Sequence, residues 1–242
     1  MFEPIARRRI YQDVAARLEQ MIGNGELPEG DSLPSERELM DRFAVGRPAI
    51  REALLTLQNA GLIETSSGER ARVVRPSARR ILNGFATAAK LMLGDEEGVR
   101  GLQSARLLLE VALARHAARH ANEDDLARLA AALQKNKAAI GNAETFMITD
   151  VEFHYAIARV AGNPIFTALH EAMSDWLAEQ RAVSLRNRAA DAKAYDFHRR
   201  IYEAIARSDS DGVEAVMEQH LNRVAELYWR QMRLKRVENG RK

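Results

Sequence analysis

Apolar positions along this chain follow two rhythms, and the change falls near residue 76. In front of it, apolar residues come in short helical and alternating runs parted by turn-forming residues. Leu39 and Phe43 lie four apart, on one face of a helix. Pro34-Ser35 opens that helix: the Ser35 side chain can accept from the free backbone N–H groups while Glu38, three residues on, reaches back. Ala44-Val45-Gly46 interrupts the pattern, and Arg47-Pro48 restarts it, proline being tolerated in a first turn. Ile50, Leu54 and Leu57 then repeat at helical spacing, and Gly61 supplies the stop. Next, Leu62-Ile63-Glu64-Thr65 and Arg70-Ala71-Arg72-Val73-Val74-Arg75 flank the polar Ser66-Ser67-Gly68-Glu69, a pattern that predicts a two-stranded hairpin. The sum is a helix-turn-helix followed by a wing.

Behind residue 76 the apolar period is helical throughout. It predicts helices over about 79–93, 98–120, 123–140, 144–161, 163–187, 190–207 and 210–235. Breakers stand at the joints: Gly94-Asp95, Asn122-Glu123-Asp124, Gly141-Asn142, Gly162-Asn163-Pro164 and Ser208-Asp209-Ser210-Asp211. Five of the six prolines fall within the first 76 residues. The expected fold is therefore mainly α, with a winged helix-turn-helix over 1–76, a linker at 77–79 and an all-helical bundle over 80–236.

Composition narrows the setting. A chain of 242 residues can bury two cores. The absence of cysteine excludes disulfides and thiolate metal sites and suits a reducing cytoplasm. No apolar run approaches the roughly 18 residues of a membrane span, and the N-terminus lacks a signal-peptide core, so a cytoplasmic location without a membrane partner is expected.

Charge says less in bulk than in placement. The net charge is +2, and the first 78 residues hold 11 arginines, no lysine and 12 acidic residues. Arg47 and Arg51, however, are four apart at the start of the second helix, where side chains of such a motif meet base edges in the major groove. Arg70, Arg72 and Arg75 add a cationic flank suited to phosphates or a minor groove. With so little net charge, each protomer should bind with moderate affinity, so double-stranded operator DNA should be held by a homodimer.

These residues carry a resemblance. Leu33-Pro34-Ser35-Glu36-Arg37-Glu38-Leu39, Gly46-Arg47-Pro48-Ala49-Ile50-Arg51-Glu52-Ala53-Leu54 and Leu57-Gln58-Asn59-Ala60-Gly61-Leu62-Ile63 resemble the GntR family of bacterial transcription regulators. The resemblance implies DNA contacts from Arg37, Arg47 and Arg51 and a wing-tip glycine, Gly68, entering the minor groove. It adds Ser67 and Arg70 beside them. Spacing alone would not single out Arg37.

The second half carries different chemistry. Asp150 and His154 are four apart and share a helical face, and Phe153 and Ile157 turn that region inward. His198 begins a pattern with Ile201 and Ile205, and His220 falls beside Leu221 in a pattern with Met217 and Val224. One carboxylate and three imidazoles would suit a divalent metal, most readily zinc, with nickel or manganese compatible. By spacing alone these histidines serve equally well as hydrogen-bonded core residues. His116 and His120 are also four apart, but their flanking arginines point to a solvated helix end, and His170 stands without a partner.

A second resemblance bears on that choice. Asp150-Val151-Glu152-Phe153-His154, His198 before Ile201 and Ala204-Ile205, and Met217 with His220-Leu221 are similar to the FCD effector domain of the FadR-type branch of GntR regulators. It implies a bundle of helices in which Asp150, His154, His198 and His220 hold a metal beneath an effector pocket. Arg106 in Arg106-Leu107-Leu108-Leu109-Glu110 looks like that domain's effector-contacting arginine, an anion clamp able to bind a small carboxylate or sugar acid. The wing, with Gly162-Asn163-Pro164-Ile165-Phe166 and Asp175-Trp176-Leu177, resembles the branch's repressors of sialic acid catabolism, which makes sialic acid or a related sugar acid the implied effector.

The expectation is thus a DNA-binding regulator, a repressor by preference, and not an enzyme. A metal-dependent hydrolase would use the same four ligands with Glu152 as base, but Glu152 lies two residues from both Asp150 and His154 and points away from their face. A helical scaffold would leave the paired arginines unexplained.

Overall fold

The computed structural model describes residues 9–65, 69–74, 82, 86–184 and 188–239. Ser67, Gly68, Arg75 and the linker at 77–79 lie outside the described residues. The chain divides into two compact units, Met1–Gly84 and Phe85–Lys242.

The first unit is built on three helices, α1 (Ile10–Gly23), α2 (Glu36–Phe43) and α3 (Arg47–Asn59), with strands β1 (Ile63–Glu64) and β2 (Arg72–Val73). At the start of α2, Ser35 Oγ accepts from the Glu38 backbone N–H at 3.2 Å while the Ser35 N–H donates to Glu38 Oε2 at 2.7 Å. The turn after α2 passes through Ala44, whose φ of 53° is left-handed backbone, a conformation that costs a residue with a Cβ. Gly61, with φ of 71°, takes the same conformation just past α3 without that cost. Leu18, Leu33, Leu39, Ile50, Leu57, Ile63 and Val73 close a core in which each is at most 2% exposed.

β1 and β2 pair antiparallel, Ile63 opposite Val73 and Glu64 opposite Arg72, as the hairpin pattern predicts. The second strand has another neighbour on its far side. Leu33 N–H donates to Ala71 C=O at 2.7 Å and Val73 N–H to Asp31 C=O at 2.8 Å. Arg72 is consequently spoken for, its Nη1 donating to Gly30 C=O at 2.7 Å. Arg72, one of the wing arginines and exposed, thereby also ties the wing to the loop after α1.

The second unit is helical throughout its described residues: α4 (Ala86–Met92), α5 (Glu96–His120), α6 (Glu123–Ala138), α7 (Ala143–Arg159), α8 (Pro164–Trp176), α9 (Ala178–Ser184), α10 (Arg188–Ala206) and α11 (Ser210–Asn239). Caps set the starts: the side chains of Asp95, Asn122, Asn142 and Asn163 each accept from a first-turn N–H. Phe153, Ile201, Val213 and Met217, fully buried, join Leu129, Ile157 and Ile205 in the core between α5, α6, α7, α10 and α11. One expected helix, 163–187, is two. The chain turns at Leu177, which caps α8 with φ −95° and ψ 10° and is itself 2% exposed.

Candidate nucleic-acid interface and metal centre

Arg37, Arg47, Arg51 and Arg70 are all exposed in the first unit. Arg47 and Arg51 leave α3 near its first turn on one side, with side chains 59% and 64% accessible, and both reach the Glu36 carboxylate at the start of α2. The opposite side of α3 is Ile50, Ala53 and Leu57, all in the core. Burial of that apolar face is what aims the arginines outward, since residues three and four apart share a face.

In the second unit Asp150 and His154 on α7, His198 on α10 and His220 on α11 bring one potential ligand atom each to within 4.8 Å of one another. All four are buried. His154 Nε2 lies 3.3 Å from His220 Nε2, His198 Nε2 lies 3.2 Å from His220 Nε2, and His198 Nε2 lies 3.4 Å from Asp150 Oδ1. Metal–nitrogen bonds of about 2.0–2.1 Å in a tetrahedron put neighbouring donors about 3.3–3.4 Å apart. Those three pairs have the spacing of ligands around one metal, and all four donors lie within 4.8 Å of one another.

Hydrogen bonds behind the ring fix which nitrogens are bare. Thr149 Oγ1 donates to Thr145 C=O at 3.0 Å, so it accepts from Asn136 Nδ2 at 3.1 Å. Asn136 Oδ1 is therefore the atom turned to His198 Nδ1, 2.9 Å away, and it can only accept. The proton sits on Nδ1 and leaves His198 Nε2 as a lone pair. His154 Nδ1 lies against a Glu110 carboxylate oxygen, and a proton held there leaves His154 Nε2 bare. His220 Nε2 then confronts two lone pairs with at most one proton of its own, whereas a cation among them would satisfy all three. Such carboxylate- and amide-backed imidazoles are the usual outer arrangement around a bound metal.

Electrostatics agree with that arrangement. Burial pushes His198 down to about 3, against the opposing pull of Asp150, and burial with the neighbouring imidazoles holds His220 well below its ordinary value. Both rings are neutral near pH 7, the form in which imidazole ligates. Burial works to raise Asp150, but the Arg181 guanidinium together with His198, His154 and His220 outweighs it and keeps the carboxyl ionised. Glu110 is held well below its ordinary value in the same way, burial being outweighed by Arg106, His154 and His170 together.

Arg106 and Arg181 also line an open cavity of about 640 Å³, with Arg100, Arg233, Gln180 and Trp229 among the other walls. Arg106 Nε donates to Glu110 Oε1 at 2.5 Å, and Arg181 Nε to Asp150 Oδ2 at 2.9 Å. Arg181 Nη2 is buried and has no hydrogen-bond partner among the described residues. Two arginines thus touch the cavity on one side and the histidine cluster, through carboxylates, on the other.

Other expectations fare differently. His170 is not solitary: it is 1% exposed, with Glu110 Oε1 3.8 Å from Nδ1 and Ser174 Oγ 3.4 Å from Nε2, because α8 packs its inner face against α7. His116 is half-buried and His120 exposed, rings 4.3 Å apart, at the end of α5. Glu152 projects away from the cluster and pairs with Lys135 at 3.0 Å. Asn136 and Arg181 are missing from the sequence reading. Glu110 was visible only as the fourth residue after Arg106, a spacing that signals a helical ion pair.

Residues 10–73 match the bacterial regulatory proteins of the gntR family, and residues 102–223 match the FCD domain. The HTH-type transcriptional repressor NanR of Escherichia coli is 41% identical over 224 residues, covering 92% of this chain and 85% of that protein. NanR of Cronobacter sakazakii is 41% identical over 228 residues, covering 91% and 86%. Among solved structures, Streptococcus agalactiae GntR matches with a TM-score of 0.65 at 25% identity, over 88% of this chain and 98% of that one. E. coli McbR/YncC, at 17% identity and a TM-score of 0.53 over 93% and 100%, shares the fold. With both halves matched in order and along most of their length, the chain belongs to the GntR family and is a DNA-binding transcription regulator with an FCD domain, not an enzyme.

Proposed function

We propose that this regulator is a dimeric repressor that binds operator DNA through Arg37, Arg47, Arg51 and the wing, and responds to an anionic sugar acid. The wing contribution comes from Ser67, Gly68 and Arg70. In the sensor domain Asp150, His154, His198 and His220 hold a divalent metal, with zinc the best fit to a donor set of three imidazoles and one carboxylate. The metal supplies positive charge and a fixed joint among α7, α10 and α11. The effector occupies the cavity beside it.

One observation carries the sensor reading: Arg181 lines the cavity, its buried Nη2 has no hydrogen-bond partner among the described residues, and its Nε holds the carboxylate of Asp150. A buried donor without an acceptor costs about 1–3 kcal/mol, and an incoming carboxylate removes that cost. Arg106, Arg100 and Arg233 add positive charge around the same space, and a cavity of about 640 Å³ has room for a hydroxylated acid. Similarity to NanR repressors and to the wing of sialic acid regulators favours sialic acid within that class.

Effector and DNA must bind the protein's states unequally for regulation to result. The test is a gel-shift titration of the protein on the DNA upstream of its own gene, with sialic acid and neutral sugars added in turn. Release of the duplex by sialic acid alone is expected. Identical binding with and without every acid tried would overturn the sensor assignment while leaving the DNA assignment standing.

A further inference from the structure

Resting on the DNA-reading assignment above, we propose that Glu36 is a positioning residue for base readout, holding Arg51 and, more loosely, Arg47 ready for guanine. Arg51 Nε lies 3.1 Å from Glu36 Oε1 and 3.2 Å from Oε2, so one nitrogen is shared between both oxygens. Arg47 Nε lies 3.8 Å from Oε2 of the same carboxylate. Neither arginine's terminal nitrogens have a protein partner among the described residues.

That division of donors is chemically specific. A guanidinium presents five N–H groups in a rigid planar fork, and guanine presents two acceptors, O6 and N7, at matching spacing. A carboxylate that engages Nε leaves the two terminal nitrogens of Arg51 as a free, oriented pair. Glu36 can do this because it is the first residue of α2, and the Ser35 cap fixes where that helix begins. An exposed arginine without such a brace would wander among rotamers and settle equally well on a phosphate.

The carboxylate also subtracts. It sits beside two cations that would otherwise attract the DNA backbone regardless of sequence, so it lowers binding to every duplex. Only a duplex with acceptors where the fork points recovers the loss. Glu36 therefore trades strength for discrimination, which matters to a repressor surrounded by non-operator DNA.

The experiment selects duplexes from a random-sequence pool with the full-length chain, then compares affinity for the best selected duplex with that for a scrambled one. Parent, Glu36→Ala, Arg51→Ala and the double variant are compared, each checked by thermal melting. Glu36→Ala should lower the ratio of selected to scrambled affinity about tenfold, within the discrimination that one bidentate contact supplies. Its affinity for the scrambled duplex should stay equal or rise, and its selected guanine preference should weaken. In the Arg51→Ala background the same change should shift the ratio less than about twofold, because the braced group is gone. Should Glu36→Ala melt early, Glu36→Gln decides the matter, with a loss of discrimination in the same direction. An unchanged base profile, or an equal loss with and without Arg51, would overturn the proposal. A parent chain that enriches no sequence would overturn the DNA-reading assignment itself.

Discussion

Arg181 Nε donates to Asp150 Oδ2 at 2.9 Å although the two residues lie 31 positions apart, on α9 and α7. Their side chains are 5% and 6% accessible, so each charge depends on the other for its solvation. Replacing Arg181 by methionine keeps the volume and removes the partner. The expected cost is about 3–5 kcal/mol in chemical denaturation of the metal-free protein, because an unpaired carboxylate is left inside. A cost below about 1 kcal/mol would mean that the imidazoles alone satisfy Asp150.

The histidine cluster predicts a metal-dependent melt. Chelation should lower the midpoint of thermal unfolding, and adding zinc back should restore it, since a ligand bound only to the folded state stabilises by mass action. The double variant His154→Ala with His198→Ala should carry no stoichiometric metal by elemental analysis and should melt identically with and without chelator. Retained metal in that variant would refute the assignment.

Asn136 offers a finer test. It is fully buried, and among the described residues its side chain passes the orientation of Thr149 on to His198 Nδ1. Asn136→Ala leaves all four ligands in place but releases the His198 ring. Metal affinity in a competition titration should fall about 10–100-fold, as for other outer partners of ligating histidines. Unchanged affinity would mean that Phe153, whose ring lies 4.7 Å from that of His198, fixes the ring unaided.

At the other end of the chain, Arg51→Ala should weaken operator binding by about 1–3 kcal/mol through loss of a base contact. The random-duplex affinity should change far less. Fluorescence anisotropy on the two duplexes, at matched salt, separates the outcomes. Equal losses on both would demote Arg51 to a backbone contact.

Much of this arrangement is legible in the sequence, for reasons that differ by element. The Ser35–Glu38 cap and the Gly61 stop are local, so they appear as residue types at fixed spacing and again as hydrogen bonds and a left-handed φ. α1 has no such announcement. Arg9 stands at its cap, and only the grouping of Val14, Ala15 and Leu18 on one side marks it. Asp150 and His154 pair visibly because one helix carries both. His198 and His220 join them only through the packing of α10 and α11, which spacing cannot express. Arg181 was hidden twice, by the unbroken helical pattern across Leu177 and by a partner 31 residues away. The surroundings of His170 are half legible: Ser174 is four residues on in the same helix, whereas Glu110 arrives from α5 through packing.

The absence of cysteine gives the histidine cluster a significance beyond sensing. A chain that closes long loops usually does so with sulfur, and cellular thiols would undo such a bond. A cation held by residues 150, 154, 198 and 220 ties together the two ends of a stretch of some seventy residues by a clasp that glutathione cannot open. Scarcity of that metal would loosen the clasp instead, so with the proposed ion in place the integrity of the helical half would answer to mineral supply.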